Sequence, residues 1–124
     1  MPPKISSAEW EVMNVVWDRA TVTAAGVFAG LPPGHGWKQK TVNTFLARLV
    51  DKGVLKVTKS DHVNLYQARL RREACVARES ESFLQRVFQG AAGPLLVHFC
   101  EQQDLSEADI RELEKLLKKK KGRT

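Results

Sequence analysis

The sequence predicts a mainly α fold, an α+β winged helix-turn-helix: a three-helix core with a two-stranded wing, followed by an α-helical dimerisation domain. Three observations predict it. Val42, Phe45, Leu46, Leu49 and Val50 recur at i, i+3, i+4, i+7 and i+8, the apolar stripe of a helix with one buried face. Just after Gly53 the period changes to two, in Val54–Thr58 and again in Val63–Ala68, the pattern of half-buried strands. From Arg71 the pattern is helical to the end. The expected domains are 1–70, winged helix-turn-helix, and 71–124, helical.

Each element has its own local signal. Ser6-Ser7-Ala8-Glu9 forms a capping box, with Ser6 at N-cap, Glu9 at N3 and Ile5 and Trp10 as the hydrophobic staple. Trp10, Met13, Val16 and Trp17 continue the apolar face to about Ala20. Thr23 caps a second helix, with Val22 and Val27 as its staple, and Val27, Phe28 and Leu31 on its apolar side. Pro32-Pro33-Gly34-His35-Gly36 reads as a flexible loop. The third helix follows and ends at Gly53, which accepts the left-handed backbone at C′. Lys59-Ser60-Asp61-His62 supplies the turn of the hairpin. Beyond it, residues 71–89 form one helix, Gly90–Gly93 break it, Pro94 suits N1 of the next, and Ser106-Glu107-Ala108-Asp109 caps the last.

Composition bounds the function. The 124 residues carry a net charge of +6 and are 43% hydrophobic, enough for one core. The charge is uneven: +4 over 1–70, −3 over 71–117, then five cations over 118–124. A basic N-terminal part favours a polyanionic partner, whereas the lysine run also suits a solvated helix end. No apolar run approaches the roughly 20 residues that span a bilayer. Met1-Pro2-Pro3-Lys4 leads straight into a capped helix, which predicts no secretory leader, no membrane insertion and a cytoplasmic place. Cys75 and Cys100 are too few and too far apart for a metal motif, and read as buried free thiols. His35, His62 and His98 sit on different elements, and no catalytic or phosphate-binding motif is present. The chain is therefore expected to be no enzyme, with no metal and no cofactor.

The third helix carries the functional signal. Lys40, Asn43, Thr44, Ala47 and Arg48 lie mostly off its apolar stripe. Such side chains contact phosphates, hydrogen-bond base edges or lie against a thymine methyl. The candidate DNA-binding residues are Lys38, Lys40, Thr41, Asn43, Thr44 and Arg48, joined by Lys56 and Lys59 from the wing. The expected partner is double-stranded DNA. Three small C-terminal helices with an apolar middle one cannot form a strong core alone. A second copy of the chain would cover them, through Phe83, Leu84, Val87, Leu95, Leu96, Phe99, Ile110, Leu113 and Leu117. Two recognition helices on a two-fold axis suit a palindromic operator. The alternative is a winged-helix protein-interaction module without DNA readout; the polar outward face argues against it, because protein-binding faces are more apolar.

The chain also resembles the penicillinase repressor family (BlaI/MecI type). The resemblance runs through Ile5–Met13, Thr23, Trp37–Thr44, Arg48–Gly53, Glu79–Leu84, Phe88, Gly90 and Leu105–Leu113, in order and over nearly the whole chain. It implies a homodimeric transcriptional repressor that binds dyad operators of β-lactam-resistance or related genes. It also implies a membrane β-lactam sensor protease, or a protease downstream of it, that cuts an Asn-Phe bond in the second helix of the dimerisation domain. The matching bond here is His98-Phe99, where Phe99 fits and His98 departs from the pattern. The paired Cys-x-Cys motifs of the copper-sensing branch are absent.

Overall fold

A computed structural model describes residues 3–122. Met1, Pro2, Arg123 and Thr124, which close the two expected domains and the basic tail, lie outside the described residues. The elements run α1 (Ser7–Asp18), β1 (Val22–Thr23), α2 (Ala24–Gly30), α3 (Gln39–Asp51), β2 (Leu55–Ser60), β3 (Val63–Ala68), α4 (Arg72–Phe88), α5 (Ala92–Gln102) and α6 (Glu107–Lys121).

The capping signals are realised as read. Ser6 Oγ accepts the Glu9 N–H at 3.2 Å and Glu9 Oε1 accepts the Ser6 N–H at 2.8 Å. Thr23 Oγ1 accepts from Gly26 N–H at 3.0 Å, and Ser106 and Asp109 exchange the same reciprocal pair at α6. At the end of α3, Gly53 N–H bonds Val50 O and Val54 N–H bonds Leu49 O, both at 3.0 Å, with Gly53 at φ +79°. That double bond is a Schellman motif, and it turns the chain directly from α3 into β2.

The core is built from α1, α2, α3 and the start of the sheet. Val12, Met13, Val15, Val16, Val27, Val42, Leu46, Leu49, Val54 and Leu55 are buried together. Trp10 and Trp17, expected on the buried face of α1, are only half-buried at its rim, while Val12 and Val15 go inside. The large indoles instead cap the core, and Trp17 Nε1 donates to Leu70 O at 3.0 Å. Cys75 is buried as expected, and burial pushes its thiol up. Cys100 is exposed, against expectation, because α5, among the described residues, buries none of its side chains.

The sheet has three strands in the order β1-β3-β2, all antiparallel, where two were expected. Val22 and Thr23 pair with Tyr66 and Leu65, so the residues before the α2 cap double as an edge strand. Two residues are too few to show a period of two. The hairpin turn is also tighter than expected. Ser60 pairs with Val63, leaving only Asp61 and His62 in the loop, both at positive φ (47° and 66°). That is the two-residue hairpin geometry whose twist matches the strands. Only Leu55 of β2 is buried. The expected half-buried strands are therefore exposed on both faces toward the tip, where Val57 and Val63 lie uncovered, because the wing extends beyond the core.

The chain divides into two compact units between Ser82 and Phe83, later than the expected break at 70/71. The first turns of α4 belong with the N-terminal core. Cys75 is buried in it, and Arg72 bonds Asp18 at 3.1 Å and lies over the Trp17 ring. In the C-terminal unit, α5 begins at Ala92, so Pro94 sits at N3 rather than N1. That position is equally tolerant, since first-turn N–H groups have no partner within the helix.

Candidate nucleic-acid interface

α3 has two contrasting faces. Val42, Leu46 and Leu49 are wholly buried, with Phe45 and Val50 half-buried beside them. Lys40, Asn43, Thr44, Ala47 and Arg48 are exposed, Thr41 is half-buried, and Lys38 is exposed at the N-cap. The structure thus presents six of the eight expected contacts along one helix and its cap. Thr44 Oγ1 donates back to Lys40 O at 3.1 Å, which spends its hydroxyl proton and leaves its lone pairs. Lys56 and Lys59 stand exposed on β2, with His62 exposed at the wing tip.

The approach to α3 is a loop, as expected. Gly34 and Gly36 take positive φ (84° and 72°), and His35 Nδ1 accepts the Trp37 N–H at 3.0 Å. The rings of Phe28, His35, Trp37 and Phe45 follow one another at 5.1–5.7 Å between centroids. This aromatic run packs the α2–α3 connection against α3 itself.

Two residues outside the expected set hold α3 in place. At its first residue, Gln39 Nε2 donates to Ala24 O in α2 at 3.1 Å and to Asn43 Oδ1 at 3.0 Å. At its C-cap, Lys52 Nζ forms a close ion pair with Glu9 Oε1 and donates to Lys4 O at 3.0 Å. Glu9 is 1% exposed and is a buried charge inside the α1 capping box. Burial alone would raise its pKa; hydrogen bonds from Lys52 and Ser6, with the Lys52 charge, outweigh that and hold it below the usual value. The i, i+4 spacing of Gln39 and Asn43 was a usable sequence signal. Pairing across the 43 residues from Glu9 to Lys52 left none.

Among the described residues, no cluster of three or more His, Cys, Asp or Glu side chains could hold a metal ion. His35, His62 and His98 lie in the α2–α3 loop, the wing tip and α5. Among them, no helix is long and apolar enough to cross a membrane.

The C-terminal unit shows the opposite of a core. Among the described residues, none of α5 or α6 is buried. Val87, Leu96, Phe99, Ile110 and Leu117 are 54, 46, 43, 43 and 55% exposed, and Phe83, Leu84, Leu95 and Leu113 are half-buried. Leu116 of the last helix is likewise exposed. Gly93, Leu96, Val97, Cys100, Leu113 and Leu117 line an apolar groove of about 480 Å³ between α5 and α6.

Comparison with known proteins places this architecture. Residues 5–119 match the penicillinase repressor family. The chain is 32% identical over 117 residues to the methicillin resistance regulatory protein MecI of Mammaliicoccus sciuri, covering 94% of this chain and 95% of that one. It is 34% identical over 121 residues to the penicillinase repressor of Bacillus licheniformis, covering 98% and 94%. The solution structure of monomeric Bacillus licheniformis BlaI in complex with the blaP half-operator superposes with a TM-score of 0.51 at 34% identity, over 59% of this chain and 89% of that one. From its fold and from these matches, the chain belongs to the penicillinase repressor family, a family of non-enzymatic transcriptional repressors.

Proposed function

We propose that this chain is a homodimeric, DNA-binding transcriptional repressor that acts in the cytoplasm on dyad operators of β-lactam-resistance or related genes. One observation carries the reading: α3 is wholly buried on one side and offers exposed Lys40, Asn43, Thr44 and Arg48 on the other. In this reading α3 enters the major groove, where Asn43, Thr44 and Arg48 meet base edges and Lys38 and Lys40 meet phosphates. Thr41 follows Lys40 at the groove wall, and Lys56 and Lys59 of the wing hold the neighbouring backbone. The half-operator complex of a relative 34% identical supports this use of the fold. The uncovered apolar faces of α4, α5 and α6 support closure by a second copy, which sets two α3 helices on a palindrome.

Release from the operator is proposed to follow a cut at His98-Phe99 in α5, made by a β-lactam sensor protease or a protease downstream of it. The test of DNA reading is a salt titration of duplex binding. The logarithm of affinity should fall linearly with that of salt, by about 0.9 per phosphate neutralised. Asn43→Ala with Arg48→Ala should reduce operator affinity by about 2–6 kcal/mol in sum and leave the fold intact. Unchanged operator affinity in that double variant would show that α3 is not the reader.

A further inference from the structure

We propose that Gln39 is a specificity-determining positioning residue: it fixes which end of the Asn43 amide faces the DNA, so that Asn43 offers hydrogen-bond donors and selects guanine over adenine. The inference rests on the DNA-reading role proposed for α3 and adds what that helix reads.

The geometry leaves little choice of orientation. Gln39 is the first residue of α3 and is half-buried. Its Nε2 lies 3.1 Å from the Ala24 carbonyl oxygen in α2. A carbonyl oxygen only accepts, so Gln39 must turn its NH₂ group toward α2. The same NH₂ group lies 3.0 Å from Asn43 Oδ1, one helical turn along. One of its two hydrogens serves Ala24 and the other serves Asn43. An N–H only donates, so Asn43 must turn its oxygen to Gln39. Its own NH₂ group is then left for the exposed side of α3. The Ala24 backbone thus sets the Asn43 amide through Gln39.

The consequence for readout follows from the base edges. An Asn with both ends free pairs with adenine, accepting from N6 and donating to N7. Adenine puts a donor beside an acceptor, whereas guanine puts two acceptors, O6 and N7, side by side in the major groove. With its oxygen held by Gln39, Asn43 meets the groove with the donor end. Two N–H groups match guanine's acceptor pair better than adenine's mixed edge. Gln39 itself touches α2 and Asn43, so it acts through Asn43.

The experiment is selection of bound sequences from a randomised duplex pool by the full-length chain. Four proteins are compared: native, Asn43→Ala, Gln39→Ala and Gln39→Met, the last keeping side-chain length and helix propensity in case Gln39→Ala folds poorly. Asn43→Ala identifies the base position that Asn43 reads, by loss of preference there. The native protein should favour guanine over adenine at that position by about tenfold, the discrimination expected of one good contact. In both Gln39 variants the preference should fall to about twofold or less, while the other positions keep theirs. Full guanine preference in the Gln39 variants overturns the proposal. So does native preference for adenine at that position, or an Asn43→Ala selection identical to the native one. In those three cases an enriched native motif still shows that the chain reads DNA. No enriched motif for the native protein would overturn the DNA-reading function itself, and the relay with it.

Discussion

Three polar residues decide how well α3 is held, and only part of that was legible in the chain. Glu9 announces itself as a capping residue through Ser6-Ser7-Ala8-Glu9. Nothing in that tetrapeptide says that Lys52 will arrive at the same carboxylate, because the pairing depends on how α1 packs on α3. Gln39 sits four residues before Asn43, but its tie to Ala24 appears only when α2 and α3 are placed side by side. The apolar core fixes the depth of α3 without direction; these ties fix where it lies along its axis. The Glu9–Lys52 pair also has a pH signature. Glu9 has a folded pKa below its ordinary value near 4.5, so the unfolded chain takes up its proton at higher pH than the folded chain does. Its contribution to stability is full above that ordinary value and is lost as pH falls through the folded pKa. Denaturant midpoints measured from pH 6 down to pH 3 should therefore fall less steeply in Glu9→Gln than in the native protein. Lys52→Met should cost about 3 kcal/mol near neutral pH, because it leaves a buried carboxylate without its cation. A loss below about 0.5 kcal/mol, the size of a surface pair, would show that the pair is a solvated contact.

At the scale of elements, the outcome depended on whether a signal was local. Caps, stop signals and the apolar stripe of α3 are local, and Ser6, Thr23, Ser106 and Gly53 all act where the sequence places them. Strand β1 and the exposure of the wing are not local. Val22 and Thr23 become a strand only because β3 passes beside them. Val57 and Val63 alternate as a half-buried strand should, yet both are exposed. The same exposure makes the wing lysines separable from the fold. Lys56→Ala and Lys59→Ala should each lower the salt slope of binding by about one unit and weaken all duplex sequences alike. The thermal midpoint should not move, since neither side chain is packed. If either substitution changes the preferred base at some position while leaving the salt slope intact, the wing reads sequence rather than backbone.

At the scale of the molecule, the two units have different claims to stability. The N-terminal unit closes a core around Met13, Leu46, Leu49 and Leu55, whereas among the described residues α5 and α6 bury none. Leu96→Asp or Leu113→Asp should therefore leave the N-terminal unit folded while shifting the protein to monomer by light scattering, with a steep loss of operator affinity as each half-site is bound alone. A native protein that is monomeric at micromolar concentration would sink the dimer. The same arrangement explains how one cut would end repression. His98 and Phe99 lie inside α5, and a protease needs extended backbone, so α5 must first open locally. In the proposed dimer such opening would be cheap, because α5 would owe its cover to a second chain, and rarer while that chain is bound. Cleavage there separates 99–124, with all of α6 and the last turn of α5, from the rest. Each protomer keeps α3 and its ties to α1 and α2, so single half-sites should still be recognised, but weakly. The chain cleaved between His98 and Phe99 should thus match the intact protein on an isolated half-site and lose at least about 100-fold on the full dyad, the scale of a lost second attachment. In cells exposed to a β-lactam, mass spectrometry of the repressor should find the fragment ending at His98 when the target genes switch on. Full-length repressor in fully induced cells would rule out this route and require a release signal that acts on the intact dimer.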